Sequence, residues 1–507
     1  MDISLKTQEY KALKTNKENS IEECVEAEFS LPEYMPEILR IIKTTAEPKV
    51  ISCKLVDNKI TMDGICEIRM IYTSEDGCVY SVSQQKQFTR HCENEEFSQG
   101  VDVNGTVDVG YVNCRATGTK KAEVKVGLTI KLSVYCEESI SYVNLEECKG
   151  IEEKVHAIDV FSSGCKKTRS FSMSDTVTLD VPAAFILKQS ASTVLSDVRK
   201  ISNKIMLRGE TVVELSYVNS ENKALVERYI HSMPLNQIIE VDGLEETFEG
   251  NVMLRVSAVD VIAKGEQGNF NTAYDISVGI DASVFMWEKK SIKVITDAYG
   301  IDGELSLVKK QVPFCVCLDS LNDTFICDNS FSVSGEGVSA VLCESAEVNS
   351  VRISNTSDEL TITGNLSASF IIKDNTGSLS NVNKVFDFSY KKACQLTESV
   401  QCELVISIVS LKTNVRNASE IDLRAELRIC GVIAGEEIID VLTDISLLED
   451  GCKPQRMPIT IYYPECENES LWDIARRYRT TVAAIAEENS LEGDTTEKSK
   501  ILFIPSA

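Results

Sequence analysis

One pattern occurs three times in this sequence and limits its fold more than any other feature: a run of alternating apolar and polar residues with a glycine at its centre. The three copies are centred on Gly64, Gly209 and Gly364, which are roughly 150 residues apart. On one side of each run the alternate residues are mostly apolar, beginning with Ile60 and Met62 in the first copy. Alternation with a period of two predicts a long β-strand with one buried face. The sequence therefore predicts a repeated β-domain.

Turn-forming residues follow each run at the same distance beyond its glycine, at 74–77, 219–222 and 374–377. Serine, asparagine, aspartate and glycine at such positions predict turns that close equivalent hairpins. A glycine in the middle of a long strand typically marks a bend or a β-bulge. The residues two positions before the glycines are predicted to be buried, and they are Met62, Leu207 and Ile362.

Further alternating stretches follow each copy, at 124–134, 276–284 and 421–429. Several strands within roughly 150 residues predict a two-layer β-domain for each copy, so the fold class is mainly β, with three repeated β-sandwich-like domains. Only 8–25 and 33–42 are predicted to be helical before the C-terminal region. The predicted units are a polar N-terminal segment at 1–28, β repeats at 29–150, 160–305 and 310–452, and a small α/β domain at 455–507.

The C-terminal region reads as a β-α-α-β unit that is compact enough to fold alone. Its first helix has one apolar stripe, which comprises Leu471, Ile474, Ala475 and Tyr478. Ser470 followed by Asp473 predicts an N-terminal cap for this helix, with the acid near the positive end of the helix dipole. Thr480 or Thr481 is predicted to cap the second helix.

The string Ser-Leu-Trp-x-Ile-Ala-x-x-Tyr at 470–478, with Phe-Ile-Pro at 503–505, resembles a LysM module. The resemblance implies a non-catalytic binding module whose glycan groove would include Asn468, Glu469 and Ser470. This sequence departs from the family there, because Asn468-Glu469 replaces the usual Gly-Asp and 498–500 lacks the usual glycines. A glutamate adds bulk and charge where a sugar must approach the backbone closely. We therefore expect the module to bind protein rather than glycan.

Four residues on or beside the first helix are candidates for partner binding: Trp472, Arg476, Arg477 and Arg479. Tryptophan and arginine are enriched among binding hot spots, and clustered arginines suit a carboxylate-bearing protein surface. In the alternative interpretation, Trp472 covers the small core of the module and the arginines are simply solvated.

The β repeats, the Leu-Pro-Glu-Tyr-Met-Pro segment at 31–36 and the C-terminal LysM module together resemble the SipL-like spore morphogenetic proteins, the SPOCS-domain family of spore-forming Firmicutes. The resemblance implies a non-enzymatic adaptor or scaffold for spore coat assembly, located in the mother-cell cytoplasm at the forespore surface. It also implies that the LysM module binds a SpoIVA-like coat morphogenetic protein, with other coat proteins as further partners. The alternative function is a peptidoglycan or cortex-glycan binding protein.

The charge and the N-terminal sequence exclude several classes of partner. The net charge of −26 opposes binding to nucleic acid or to an anionic membrane. The N-terminal residues lack an apolar signal core, and no apolar run is long enough for a membrane span. We therefore expect no membrane insertion and a location in the cytoplasm where the chain is made.

The sequence lacks the motifs of catalytic and metal sites. Its 18 cysteines are scattered, with Cys315-x-Cys317 the closest spacing, and three histidines leave few further zinc ligands. There is no Gly-x-x-x-x-Gly-Lys-Ser/Thr, no Gly-x-Ser-x-Gly and no His-Glu-x-x-His. We therefore expect no catalytic residues, no metal and no cofactor, and we expect most thiols to be small buried apolar groups.

Overall fold

The structure is a computed structural model of the 507-residue chain. It describes residues 5–12, 15–56, 58–93, 100–136, 138–145, 150–223, 225–264, 272–335, 337–356, 358–394, 399–448, 459–464, 469–491, 493, 495–496 and 501–506. The described residues form twenty-two β-strands, β1 to β22, and two helices, α1 and α2. Neither of these helices has the length and apolar character needed to cross a membrane.

The first domain is a sandwich of two three-stranded antiparallel sheets. One sheet has the order β3 (Arg40–Val56), β4 (Lys59–Thr73), β5 (Val79–Glu93), and the other has the order β2 (Thr15–Ser30), β7 (Lys121–Cys136), β6 (Gly100–Gly118). The apolar faces of the two central strands, β4 and β7, pack against each other across the core. This packing explains the period of two along both strands.

The second and third domains repeat this arrangement. The second has the sheets β10 (Ala183–Ile201), β11 (Lys204–Asn219), β12 (Val226–Glu240) and β13 (Glu249–Ala263), β14 (Ala273–Gly300), β9 (Ile151–Thr178). The third has β16 (Val338–Asn355), β17 (Glu359–Asp374), β18 (Leu379–Ala393) and β15 (Leu305–Ser332), β20 (Glu420–Leu447), β19 (Ser399–Asn417). The strand order is the same in all three, so the predicted mainly-β fold with three sandwich-like repeats is confirmed.

The central glycines occupy equivalent places, each in the middle strand of a sheet. In each domain the preceding strand has a register shift opposite or next to the glycine, which confirms the predicted bulge. A Cβ on Gly64 would lie 2.2 Å from the ring of Phe88, and one on Gly364 would lie 2.6 Å from the ring of Phe388. The residues predicted to be buried two positions earlier are fully buried; they are Met62, Leu207 and Ile362.

The predicted helix at 8–25 is wrong. Residues of this stretch lie in β1 (Leu5–Ala12), which pairs with β8 (Glu138–Leu145), and in β2, which pairs with β7. In β2 the buried residues Val25, Ala27 and Phe29 alternate with glutamates, so strand pairing overrides the helical preference of the polar residues. The stretch 1–28 is therefore not a separate segment, because its described residues complete the first repeat. The predicted helix at 33–42 is also wrong, since 32–39 consist of turns, bends and irregular backbone before β3 begins at Arg40.

Four strands of 28 residues run beyond the sandwiches: β9, β14, β15 and β20. Outside its sandwich, β9 stays paired with β14, and β15 stays paired with β20. We call these extensions the second and third ribbons, and the β1–β8 pair is the first ribbon. Apolar side chains of the three ribbons form one cluster.

The three domains close into a ring in which each contacts the next. The first contacts the second through β5 and β10, and the third contacts the first through β18 and β3. Between the second and third domains, Arg228 of β12 forms an ion pair with Glu344 of β16. One end of the ring carries the ribbons, and the other carries the sheets that contain the central glycines.

The C-terminal domain consists of β21 (Ile459–Tyr462), α1 (Leu471–Tyr478), α2 (Val482–Asn489) and β22 (Leu502–Pro505). The two strands pair antiparallel, as the β-α-α-β interpretation requires. The side-chain oxygen of Thr481 accepts a hydrogen bond from the backbone N–H of Ala484 (3.0 Å) and so caps α2. Ser470 is the N-cap residue of α1, but its side chain makes no cap hydrogen bond. Tyr478, predicted to face inward, is 36 % exposed and packs edge-on against Tyr462.

Candidate functional site

The C-terminal domain is docked on the second ribbon through an aromatic pair. The indole ring of Trp472 on α1 meets the ring of Tyr299 on β14, with centroids 4.9 Å apart and planes 66° apart. The hydroxyl of Tyr299 donates to the backbone carbonyl of Thr480 (2.8 Å), immediately after α1. Tyr299 and Ile301 belong to the same apolar cluster as the core of the C-terminal domain. Residues at the end of the second ribbon therefore complete the small core of the C-terminal domain.

The carboxylate of Asp297 makes the polar contacts at the edge of this interface. The Oδ2 atom of Asp297 accepts hydrogen bonds from the indole N–H of Trp472 (3.1 Å) and the guanidinium of Arg476 (2.9 Å). Its Oδ1 atom accepts from Lys309 of the third ribbon (3.1 Å). Burial alone would raise the pKa of Asp297, but the hydrogen bonds from Trp472 and Lys309 and the charge of Arg476 outweigh it and hold this pKa below its usual range. Asp297 is thus ionised and links the C-terminal domain to two ribbons.

These contacts divide the four residues predicted to bind a partner into two pairs. Trp472 and Arg476 contact the chain's own ring through Asp297. Arg477 is exposed and lies within 3.5 Å of the Tyr462 hydroxyl, and Arg479, half-buried, ends α1 in a left-handed conformation. The β-domain side of this interface could not be predicted from the sequence, because nothing near Asp297 marks it as a partner of a helix some 175 residues later.

The loops predicted to form a glycan groove are tied to each other. Of the three predicted positions, Asn468 lies outside the described residues. Glu469 accepts a backbone hydrogen bond from Thr496 (2.9 Å), and Ser470 forms a bridge with Thr495. The carboxylate of Glu469 accepts a hydrogen bond from the Tyr462 hydroxyl (2.6 Å). The glutamate side chain is thus used within the domain itself.

The outer face of the β21–β22 sheet is apolar and exposed. Ile461 pairs with Phe503 across the two strands, and these side chains are 56 % and 44 % exposed. Ile459, Tyr463 and Ile501 continue the same face and are also exposed. We call these five residues the apolar strip. A contiguous exposed apolar surface of this kind is typical of an interaction site.

The described residues contain no group of three or more histidine, cysteine, aspartate or glutamate side chains placed to hold a metal ion. Cys315 of the predicted pair is buried, and the side chain of Cys317 lies outside the description. Burial raises the pKa of the Cys66 thiol to about 11 and that of Cys402 to about 11. These two thiols are therefore protonated and unreactive at neutral pH.

Two stretches of the chain match known protein families. Residues 37–117 match the family described as SipL, SPOCS domain, and residues 467–495 match the LysM domain family. No curated protein and no solved structure matched the chain. The first match lies in the first β repeat and the second spans both helices of the C-terminal domain. The chain therefore carries a SipL-type SPOCS domain and a C-terminal LysM domain, two binding modules that fit a sporulation-related protein.

Proposed function

We propose that this protein is a non-enzymatic scaffold of spore coat assembly, whose LysM domain binds a coat morphogenetic protein of the SpoIVA type. The two matched domains support the sporulation setting, since one is a SipL-type SPOCS domain and the other a LysM domain. The proposed place of action is the forespore surface in the mother cell, with other coat proteins as further partners of the ring.

The observation that carries the proposal is the docking of the LysM domain on the ring. Asp297 and Tyr299 bind α1 to the ribbons, so a partner held by the LysM domain is connected to three large β domains through these contacts. A scaffold requires this connection, because a bound partner must keep a defined position relative to the other surfaces. A glycan-binding anchor on a loose tether would not require it.

The docking also refines which residues meet the partner. Trp472 and Arg476 are occupied by Asp297, so they position the LysM domain, whereas Arg477 is exposed beside them. We assign Arg477 and Arg479, together with the apolar strip, to the partner surface. An arginine beside an apolar surface suits a partner with a carboxylate at the edge of an apolar patch.

The test measures binding of the full-length protein to a purified SpoIVA-type protein by biolayer interferometry. Arg477→Glu should weaken binding at least tenfold, because it replaces a carboxylate-binding group by a like charge. Arg352→Glu, a charge reversal at an exposed position of β16, is the matched control and should leave binding unchanged. Both variants should keep the melting temperature of the parent. Normal binding by Arg477→Glu would overturn the assignment of this surface.

The alternative function, peptidoglycan or cortex-glycan binding, is tested with the same protein. Because Tyr462 engages the Glu469 carboxylate at the predicted groove, we expect the full-length chain to stay in solution when insoluble peptidoglycan is sedimented. Retention by peptidoglycan that soluble chitin oligomers reverse would favour the glycan function. If those oligomers also displaced the SpoIVA-type protein, the scaffold proposal would fail.

A further inference from the structure

A cavity of about 600 Å³ lies where the three domains meet at the sheet end of the ring. It is lined mainly by β3, β10 and β16, the strands that carry the bulges, and by β6, β13 and β19 from the opposite sheets, with single positions of the central strands such as Glu214 of β11. The same three strands of each repeat contribute, so the cavity lies on the axis about which the repeats are arranged. We call it the axial cavity.

Three lining residues are equivalent in the repeats but differ in chemistry. Lys43, Lys188 and Cys343 each pair with the residue seven positions beyond the central glycine of their domain. The residues just before the two lysines, Ile42 and Leu187, lie in an apolar cluster to which all three domains contribute. Burial raises the pKa of the Cys343 thiol, while the charges of Lys43 and Lys188 act to lower it, so the three groups interact. The axial cavity thus has two ammonium groups where a purely structural junction would be apolar.

Charged residues from all three domains line the axial cavity. The cations are Lys43, Lys49, Lys188 and Arg255, and the acids are Glu47, Asp108, Glu214 and Glu347. Most of them have partners: Lys188 is 3.4 Å from Glu214, Arg255 is 4.0 Å from Asp108, and Lys49 forms an ion pair with Asp260. Glu47 accepts a hydrogen bond from Gln189 (3.3 Å).

Lys43 and Glu347 are different. Among the described residues neither forms an ion pair, and the Lys43 ammonium donates to the Ser345 hydroxyl (2.5 Å). Lys43 is half-buried, whereas the Glu347 side chain reaches solvent at the cavity. Desolvation lowers the pKa of Lys43 and raises that of Glu347, and each charge partly offsets this for the other. Two opposite charges that share a cavity are stabilised most by direct contact. Here they come from neighbouring domains and, among the described residues, form no ion pair with each other.

We propose that the axial cavity binds a small zwitterion of amino-acid or dipeptide size, with its anionic group at Lys43 and Ser345 and its cationic group at Glu347. The cavity volume lies in the range of small-molecule sites, roughly 300–1,000 Å³. Such a ligand offers a partner to both Lys43 and Glu347, which line the same cavity, whereas a simple anion would meet Glu347 and a simple cation would meet Lys43. This site is independent of the LysM surface, so its failure leaves the scaffold proposal intact.

Isothermal titration of the full-length protein with the twenty amino acids and with glycine dipeptides tests the proposal. At least one of these zwitterions should bind at a single site per chain, and it should bind more tightly than succinate or 1,4-diaminobutane. Lys43→Met and Glu347→Gln should each weaken that binding at least tenfold. Lys54→Met, at an exposed position of the same strand, is the control and should have no effect.

Each other outcome counts against the site. If no probe binds, or if succinate binds as tightly as the best zwitterion, the proposal fails. It also fails if Glu347→Gln leaves the affinity unchanged, because the cationic group of the ligand would then have another partner. Should Lys43→Met not fold, Lys43→Arg, which keeps the charge, is expected to retain binding while Glu347→Gln loses it.

Discussion

The two ends of the ring are built from the same three repeats and each has an apolar cluster, but at the sheet end charged residues of all three domains also surround a cavity. At the ribbon end, Val160, Phe314 and Val441 are fully buried and come together from two ribbons, with Tyr10 of the first ribbon against them. At the sheet end, three equivalent positions line a cavity, and they are occupied by Lys43, Lys188 and Cys343. The same arrangement of the backbone therefore encloses different side chains at the two ends. The ribbon end resembles a protein core, whereas the sheet end resembles a binding site.

At the ribbon end, the hydroxyl of Tyr10 is a polar group within the apolar cluster. The Tyr10 hydroxyl donates to the carbonyl of Phe161 (3.0 Å) and accepts from the backbone N–H of Cys315 (3.1 Å). A single side chain of the first ribbon thus satisfies backbone groups of the other two. At the sheet end, by contrast, Lys43 and Glu347 have no such closure between them. The difference indicates that the ribbon end holds the ring together, and it leaves the sheet end available for a ligand.

The largest effect is expected for Phe314→Ala. Phe314 is fully buried where the ribbons meet, and its ring lies 5.0 Å from that of Tyr10. Removing a buried phenylalanine side chain should lower the free energy of unfolding by about 3–5 kcal/mol, measured by urea unfolding followed by circular dichroism. Phe503→Ala, in the exposed apolar strip, is the control and should change this free energy little. Equal effects of the two changes would show that the ribbons do not hold the ring.

A smaller effect is expected for Tyr10→Phe, which keeps the ring and removes the hydroxyl. The change removes the hydrogen bond that the Tyr10 hydroxyl accepts from the buried N–H of Cys315, so it should cost about 1–3 kcal/mol. Because Tyr10 connects three ribbons, hydrogen exchange should rise at Cys315 and nearby residues of β15, far from Tyr10 in sequence. Tyr142→Phe is the control, since the hydrogen bond from that hydroxyl to Gln8 lies within the first ribbon. Protection at Cys315 equal to that of the parent would contradict the bridging role.

Features of the fold that depend on residues close together in the sequence could be predicted. The faces around Gly64, Gly209 and Gly364 predicted the central strands, their turns and their buried residues, because a strand with one buried face has a period of two. Thr481 could be predicted as a cap, since a cap bonds to a residue three positions away. The boundaries predicted for the second and third repeats, and the partner-binding roles of the LysM residues, remain predictions.

Features that depend on distant parts of the chain had no such signal. The polar residues of 8–25 favoured a helix, and only pairing with β7 and β8 shows them as strands. No sequence pattern around Asp297 predicts that it binds Trp472. Lys43 likewise looks like an ordinary polar residue of an edge strand until ring closure places Ser345 beside it. Contacts between repeats have no period, so they could be read only from the structure.

The smallest effect, and the one of opposite sign, is expected for Lys43→Met. In the absence of a ligand, a mostly buried ammonium without an ion pair destabilises the fold, so replacing it by a methionine of similar length should raise the free energy of unfolding by about 1 kcal/mol.

Burial lowers the pKa of Lys43 below its ordinary value of 10.5, which means that the folded protein binds this proton less tightly than the unfolded chain. The advantage of methionine should therefore be full below the folded-state pKa, where both states carry the charge, and should shrink as the pH rises through that pKa towards 10.5. Urea unfolding of the two proteins between pH 7 and pH 10 measures this difference, with Lys54→Met as the exposed control. A loss of stability at pH 7 would mean that Lys43 supports the ring as Phe314 does, and the contrast between the two ends would disappear.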